Sequence, residues 1–202
     1  MPILRPTTIR SVRRWGALAC RLLALSTLLA AIATGLYATE AKSKVTREYD
    51  LKAAFLFNFT QFVEWPSEAF PNEKAPFVIG LLGEDPFGKS LDEIVANETV
   101  RDRKIVLRRC RTLDEAATCH TLFISRSETP RLHDVLVFLN GKSVLTVGDA
   151  EGFSKHGGMI GFVVVQNRIQ VKINVEAAKA AKLTISSKLL RQAEIVSAKG
   201  GN

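Results

Sequence analysis

The chain has 202 residues, 47% of them hydrophobic, and a formal net charge of +8. A chain of this length holds a single domain with its own core. Much of the positive charge lies near the N-terminus, and the rest of the chain has no basic run and no interleaving of basic and aromatic residues. The composition therefore argues against a nucleic-acid-binding protein.

The N-terminus has the pattern of a secretory leader. Five arginines, the last of them Arg21, precede residues 22–38, which contain no charged residue. This pattern predicts a signal peptide over residues 1–38, cleaved after Ala38 or after Ala41. The alternative is an uncleaved membrane anchor, because about 17 apolar residues is the lower limit for crossing a bilayer. Cleavage would remove five of the 28 basic residues and leave 23 against 20 acidic ones.

Residues 49–65 predict an amphipathic first helix that Pro66 ends. Its apolar residues recur every three to four positions, at Leu51, Phe55, Phe59 and Phe62. Phe57 points away from Phe59, on a face expected to be polar. We interpret Phe57 as a candidate anchor for a protein interface; the alternative is that the C-terminal helices cover it.

Short apolar strands alternate with helices along the rest of the chain. The predicted strands are 77–82, 104–107, 121–124 and 144–147, and the predicted helices are 89–96, 113–118 and 130–139. Such alternation predicts parallel strands. Residues 159–165 and 168–173 predict an antiparallel hairpin that turns at Gln166 and Asn167, and helices are expected at 175–181 and 187–195.

The predicted fold class is therefore α/β. We expect a single domain over residues 48–196, with a mixed, mostly parallel sheet, helices on both faces and a C-terminal antiparallel hairpin. Residues 197–202 contain two glycines and are expected to form a disordered tail.

Two cysteines, Cys110 and Cys119, remain after cleavage of the leader. An even number of cysteines in an oxidising compartment indicates a disulfide. Cys110 lies at the exit of one predicted strand and Cys119 at the entrance of the next, so a bond would close a short loop. The alternative is a pair of buried free thiols.

The chain shows no recognisable catalytic motif, and we expect neither enzymatic activity nor a cofactor. His120, His133 and His156 lack the spacing of a metal site. The loop after the first predicted strand does not match a phosphate-binding motif, and we interpret it as a tight strand-to-helix turn. A small-ligand pocket at the strand ends is the other interpretation, with the candidate residues Gly83, Asp85, Gly88, Ser125, Gly157 and Gly158.

Several segments resemble the YfiR family of periplasmic regulators. The matching segments are KAAFLFNFTQFVEWP (52–66), FVIGLLGEDPFG (77–88), CHTLFIS (119–125), VLTVGDAEGFSKHGGMIGF (144–162) and ISSKLLRQAEIV (185–196). They cover most of the mature chain in the order of the family. Because these motifs are largely structural, they indicate the fold more directly than the activity.

The resemblance implies a non-enzymatic periplasmic protein that represses an inner-membrane diguanylate cyclase and so lowers cyclic di-GMP and biofilm formation. The expected partner is the periplasmic domain of the cyclase. The resemblance also implies a homodimer and relief of repression by an outer-membrane lipoprotein. The alternative function is a periplasmic small-ligand-binding or receptor-accessory module.

Overall fold

The computed structural model describes residues 45–197, and nearly all of them belong to one compact unit that begins at Arg47. Residues 45–62 form the first helix, α1. The other helices are α2 (Ser90–Val95), α3 (Leu113–Ala117), α4 (Leu132–Leu139), α5 (Val175–Ala180) and α6 (Ser187–Leu190). Short 3-10 helices cover Ser67–Ala69, Arg126–Arg131 and Phe153–His156.

The strands form two sheets in the described part of the chain. They are β1 (Val63–Glu64), β2 (Phe77–Leu82), β3 (Thr99–Val100), β4 (Arg103–Cys110), β5 (Thr121–Ile124), β6 (Leu145–Gly148), β7 (Ile160–Val165), β8 (Arg168–Ile173), β9 (Thr184–Ile185) and β10 (Glu194–Ile195). The large sheet has the order β10-β8-β7-β6-β5-β2-β4-β3, and β1 pairs with β9.

The large sheet is mixed and mostly parallel, as the sequence predicts. The five strands β7, β6, β5, β2 and β4 run parallel to one another. At the two ends of this set, β8 runs antiparallel to β7 and β3 runs antiparallel to β4. The β7–β8 hairpin is confirmed, with Val165 opposite Arg168. Gln166 and Asn167 turn the chain with φ values of 48° and 63°, which is the left-handed conformation that two-residue hairpin turns require.

Helices cover both faces of this sheet, which confirms the predicted fold class. Phe77, Ile79 and Leu81 of β2 pack in a core cluster with residues of α1, α2 and α5. The alternate residues Val78 and Leu82 pack in a second cluster with residues of α3 and α4. Strand β2 is therefore buried on both sides, as a central parallel strand should be.

Two predictions for the first helix are wrong. α1 ends at residue 62 rather than at 65, because Val63 and Glu64 pair antiparallel with β9; residues just before a proline favour such an extended conformation. Leu51 is 49% exposed and does not belong to the core-facing stripe. Within α1, that stripe includes Ala53, Leu56 and Phe59, each at most 1% exposed.

Two further predictions are wrong near the ends of helices. The helix predicted over 187–195 stops at Leu190, and β10 then adds a parallel strand to β8. The helix predicted to begin at 130 is preceded by a 3-10 helix over Arg126–Arg131, which contains Pro130. The predicted leader and its cleavage sites lie outside the described residues, as do the last five residues of the chain. Within 45–197, no helix is both long and apolar enough to span a bilayer.

Candidate functional site

A cluster of charged and polar residues, buried at its centre, lies at the carboxyl ends of strands β5 and β6. Asp149 directly follows β6, and Arg126 follows β5 after one residue. The remaining members, Glu48, Tyr49 and Lys52, come from α1. The carboxyl ends of parallel strands are where α/β proteins place their polar sites. We call these five residues the strand-end charge cluster.

Lys52 and Asp149 form the centre of the strand-end charge cluster. Both side chains have 0% exposure, and Lys52 Nζ lies 2.6 Å from Asp149 Oδ2. The same ammonium group lies 2.5 Å from Glu48 Oε1, one helical turn earlier. The Tyr49 hydroxyl donates to Asp149 Oδ2 at 2.8 Å. Helix α1 is thus bound to the sheet through an ion pair as well as through apolar packing.

Asp149 also holds the outer residue of the cluster, Arg126. The Arg126 Nε group donates to the Asp149 carbonyl oxygen at 2.9 Å and lies 3.3 Å from Oδ2. The other carboxylate oxygen, Oδ1, is buried and has no hydrogen-bond partner among the described protein atoms. Burial, followed by the negative charge of Asp149, raises the pKa of the Tyr49 hydroxyl. Tyr49 therefore remains a hydrogen-bond donor at neutral pH.

The spacing of residues in α1 contains a signal for this cluster. Lys52, Leu56, Phe59 and Val63 follow one another at helical spacings of four, three and four residues, so the lysine lies on the buried stripe. A lysine on such a stripe needs a buried partner, since an unpaired buried charge is very costly. The partner, Asp149, is 97 residues away, and its identity requires the sheet topology.

Phe57 is half-buried and packs against the core cluster beneath α1. Ala53 and Thr60, four residues before Phe57 and three residues after it, are fully buried. The Thr60 hydroxyl donates to the Phe57 carbonyl oxygen at 2.6 Å. Part of the Phe57 ring is therefore committed to packing, and part of it remains accessible.

Three residues of the predicted ligand pocket lie in the loop after β2. Gly83 has a φ of 89°, and a Cβ there would overlap the side chains of Ser127 and Glu128 in the 3-10 helix after β5. Asp85 Oδ1 accepts from the backbone N–H of Phe87 at 2.8 Å, and its Oδ2 accepts from Arg109 Nε at 2.9 Å. Gly88 has a φ of 58°. The Asp85 carboxylate is thus engaged in the loop's own structure.

The other three residues of that prediction lie after β5 and before β7. Ser125 is buried, and its hydroxyl accepts from the backbone N–H of Ser127 at the start of a 3-10 helix. Gly157 ends the 3-10 helix over Phe153–His156 with a φ of 103°. Gly158 leaves space for the Phe153 ring. Of the six predicted residues, only Gly157 lines the cavity that loop 150–157 forms with the β7–β8 hairpin.

The structure brings Cys110 and Cys119 together in the buried core. Their sulfur atoms are 3.6 Å apart and unbonded in this structure, compared with about 2.05 Å in a disulfide. A Cβ on Gly80 of β2 would lie 2.5 Å from Cys119 Sγ and 3.2 Å from Cys110 Sγ. A hydrogen bond from Cys119 lowers the pKa of Cys110, whereas the same contact and burial raise the pKa of Cys119. The disulfide stays a prediction.

The hydrogen bonds and ring contacts of His120 indicate a structural role. Its Nδ1 accepts from the backbone N–H of Val78 at 2.9 Å, and its Nε2 lies 3.2 Å from the Ala69 carbonyl oxygen. The ring stacks against Phe70 and Phe77. Burial lowers the pKa of His120 and favours the neutral imidazole. Among residues 45–197, no three histidine, cysteine or acidic residues form a group that could hold a metal ion.

Comparison with known families identifies the chain. Residues 49–194 match the YfiR/HmsC-like family. The protein belongs to the YfiR/HmsC-like family. This family is regulatory and non-catalytic, and its members are periplasmic. No curated protein matches the chain significantly.

The YfiR/HmsC-like match covers almost the whole described fold. It begins at Tyr49 in α1 and ends at Glu194 in β10. Four of the five members of the strand-end charge cluster lie inside it, and Glu48 precedes its first residue. Four of the five cluster residues therefore lie within the matched domain of this chain.

Proposed function

We propose that this YfiR/HmsC-like protein is a non-enzymatic periplasmic regulator that represses an inner-membrane diguanylate cyclase. The observation that carries the proposal is the family match over residues 49–194. The partner is the periplasmic segment of the cyclase, and repression lowers cyclic di-GMP on the cytoplasmic side. A homodimer and relief by an outer-membrane lipoprotein complete the proposed system.

Repression across a membrane needs no chemistry from the repressor. It needs only a difference in affinity for the inactive and active arrangements of the cyclase. A difference of about 100-fold would move that equilibrium by up to ~2.7 kcal/mol at saturation. A rigid binding surface favours such discrimination, because it cannot repack to fit both arrangements, as flexible surfaces can.

Helix α1 is the surface that suits this role best. The strand-end charge cluster fixes the start of the helix to the sheet. Further along, Phe55, Phe57 and Phe62 are half-buried, so each ring is held against the core while part of it faces outwards. Partly exposed, rigid aromatic side chains are typical anchors of protein interfaces. We propose Phe57 as the anchor for the cyclase.

Deletion of the gene tests the proposed function. We expect the deletion to raise cellular cyclic di-GMP and biofilm formation, because the cyclase loses its repressor. Deletion of the partner cyclase in the same strain should suppress both effects. Cyclic di-GMP is measured by mass spectrometry of cell extracts. An unchanged level, in cells that demonstrably express the protein, would favour the receptor-accessory or ligand-binding alternative.

The same assay tests the proposed anchor. Phe57→Leu keeps the apolar contact with the core and removes the outer part of the ring. This variant should raise cyclic di-GMP as the deletion does. Phe62→Leu is the matched control, since it changes another half-buried phenylalanine of α1. If both variants or neither raise cyclic di-GMP at equal protein levels, Phe57 is not a specific anchor.

A further inference from the structure

A cavity of about 820 Å³ lies between loop 150–157, the first turn of α4 and the β7–β8 hairpin. Its side-chain lining includes Val163 at the hairpin, the cations Lys155 and Lys172, the imidazoles of His133 and His156, and one carboxylate, Glu151. This volume is in the range of small-molecule sites, roughly 300 to 1,000 Å³. None of these six residues belongs to the strand-end charge cluster.

The cavity exists because the hairpin extends beyond the helices on this face of the sheet. The core cluster on this face contains residues of β2, β4, β5, α3 and α4, but none from β7 or β8. Gly161 points to the same face, where a Cβ would lie 2.6 Å from Ser154 Oγ. Because side chains alternate along a strand, Val163 also points to this face and Val164 to the opposite one.

The wall of the cavity is held in place before any ligand binds. The Phe153 ring occupies the space left by Gly148 and Gly158. The Ser154 hydroxyl donates to the Lys172 carbonyl oxygen at 3.0 Å, and the Asn174 side-chain amide donates to the Ser154 carbonyl oxygen at 3.1 Å. Phe153, Ser154 and Asn174 are all buried. A wall built in this way is preformed, as small-molecule sites usually are.

The charged groups of the lining favour an anion. Lys155 is exposed and has no ion-pair partner within the described part of the chain. Lys172 Nζ lies 3.0 Å from Glu194 Oε1, and an ammonium group has two further donors. Two imidazoles add hydrogen-bonding groups, against the single carboxylate of Glu151. Val163, Ala150 and Phe153 are among the apolar residues that line the cavity, and a compact inorganic anion would leave the space beside them unfilled.

We propose that this cavity binds a small amphiphilic anion: a molecule with an apolar ring or chain and one terminal carboxylate, phosphate or sulfonate. The apolar body lies against Val163 and Phe153. The anionic group lies at the mouth, beside Lys155 and Lys172. This site is independent of the proposed cyclase surface on α1, and it requires no second protein.

Two fluorescent probes of similar shape test the site on the purified mature protein. The anionic probe is 8-anilinonaphthalene-1-sulfonate, and N-phenyl-1-naphthylamine provides the same aromatic body without the charge. We expect saturable one-site binding of the sulfonate, and weaker binding of the neutral probe. Lys155→Glu should weaken the affinity for the sulfonate by roughly tenfold and leave the affinity for the neutral probe unchanged. No saturable sulfonate binding, or an equal effect of Lys155→Glu on both probes, would overturn the proposal.

A cavity-filling variant locates the bound probe. Val163→Trp should weaken the binding of both probes, because the indole ring occupies the space that the aromatic body of the probe would fill. Val164→Trp is the matched control, since it adds the same side chain to the opposite face, where Val164 is already exposed. In the unsubstituted protein, amide NMR signals of Gly157 and Gly161 should shift on titration with the sulfonate. Unshifted signals, or equal binding by a folded Val163→Trp variant, would place the probe elsewhere and refute the site.

Discussion

Lys52 is a fully buried lysine in the middle of an apolar helix surface. Its ammonium group contacts two carboxylates, Glu48 and Asp149, and lies 4.3 Å from the centroid of the Tyr49 ring. Burying charges costs solvation energy that a good ion pair roughly offsets. The pair thus contributes little net stability when complete, but removal of one partner leaves the other buried and uncompensated.

Lys52→Met should lower the free energy of unfolding by about 3–5 kcal/mol, because the buried Asp149 then keeps only the exposed Arg126, 3.3 Å away, as a counter-charge. The double variant Lys52→Met with Asp149→Leu should recover most of this loss, since it removes both charges. Urea denaturation measures the free energies. Lys179→Met is the matched control: it breaks the exposed Lys179–Glu176 pair, and a change within about 0.5 kcal/mol is expected. A double variant as unstable as the single one would contradict this account of the pair.

At the scale of the elements, local patterns predicted the central sheet well and the C-terminal segment poorly. Strand β5 has the predicted bounds, and the hairpin turns at the predicted residues. Those segments carry unambiguous signals, namely a continuous apolar run and a two-residue turn. The segment after α6 has helical spacing of its apolar residues, yet Glu194 and Ile195 pair with β8. That pairing depends on a strand more than 20 residues earlier, which no local pattern contains.

For the candidate sites too, the sequence predicted what local patterns determine and missed what depends on contacts between distant segments. The sequence predicted the proximity of Cys110 and Cys119, because both residues flank the short connection between β4 and β5. It could not predict the Lys52–Asp149 pair, which joins α1 to the loop after β6, 97 residues later in the chain. It also assigned Asp85 to a pocket, whereas Arg109 of β4 binds its carboxylate. Contacts between distant segments require the order of the strands, and one sequence alone does not contain that order.

A Cys110–Cys119 disulfide would join the end of β4 to the entrance of β5 and so link two neighbours of β2. Non-reducing peptide mapping should find the two residues linked within one chain. A loop of about 10 residues closed in this way contributes roughly 2.5 kcal/mol, so Cys119→Ser should lower the melting temperature by ~5 °C. Under reducing conditions, the variant and the unsubstituted protein should differ much less. Alkylation of both thiols in the denatured, unreduced protein would contradict the disulfide.

On the scale of the whole molecule, the predicted leader and the α/β domain occupy different parts of the sequence. The family match begins at Tyr49, and the predicted leader lies upstream of every described residue. The basic and apolar segments that predict the leader contain nothing of the α/β domain. Removal of residues 1–38 or 1–41 would therefore leave the matched domain intact.

Intact-mass analysis of a periplasmic extract tests the leader. We expect a mature chain that starts between Thr39 and Ser43, because signal peptidases cut after small residues such as Ala38 and Ala41. A variant with Arg10, Arg13 and Arg14 replaced by glutamate should accumulate in the uncleaved form, since it loses the basic segment. A full-length mass found in the membrane pellet for the unsubstituted protein would instead establish the retained anchor.

The close approach of Gly80 to both thiols has an evolutionary consequence. A methyl group at position 80 would overlap Cys119 Sγ most closely, touch the end of the Leu122 side chain and crowd Cys110 Sγ. Strand β2 cannot withdraw, because it is hydrogen-bonded to β4 on one side and β5 on the other. A mutation to alanine at position 80 is therefore accessible only in a lineage that has already replaced one cysteine by a smaller residue. Across homologues these three positions should diverge as a set, and loss of the thiols should precede loss of the glycine.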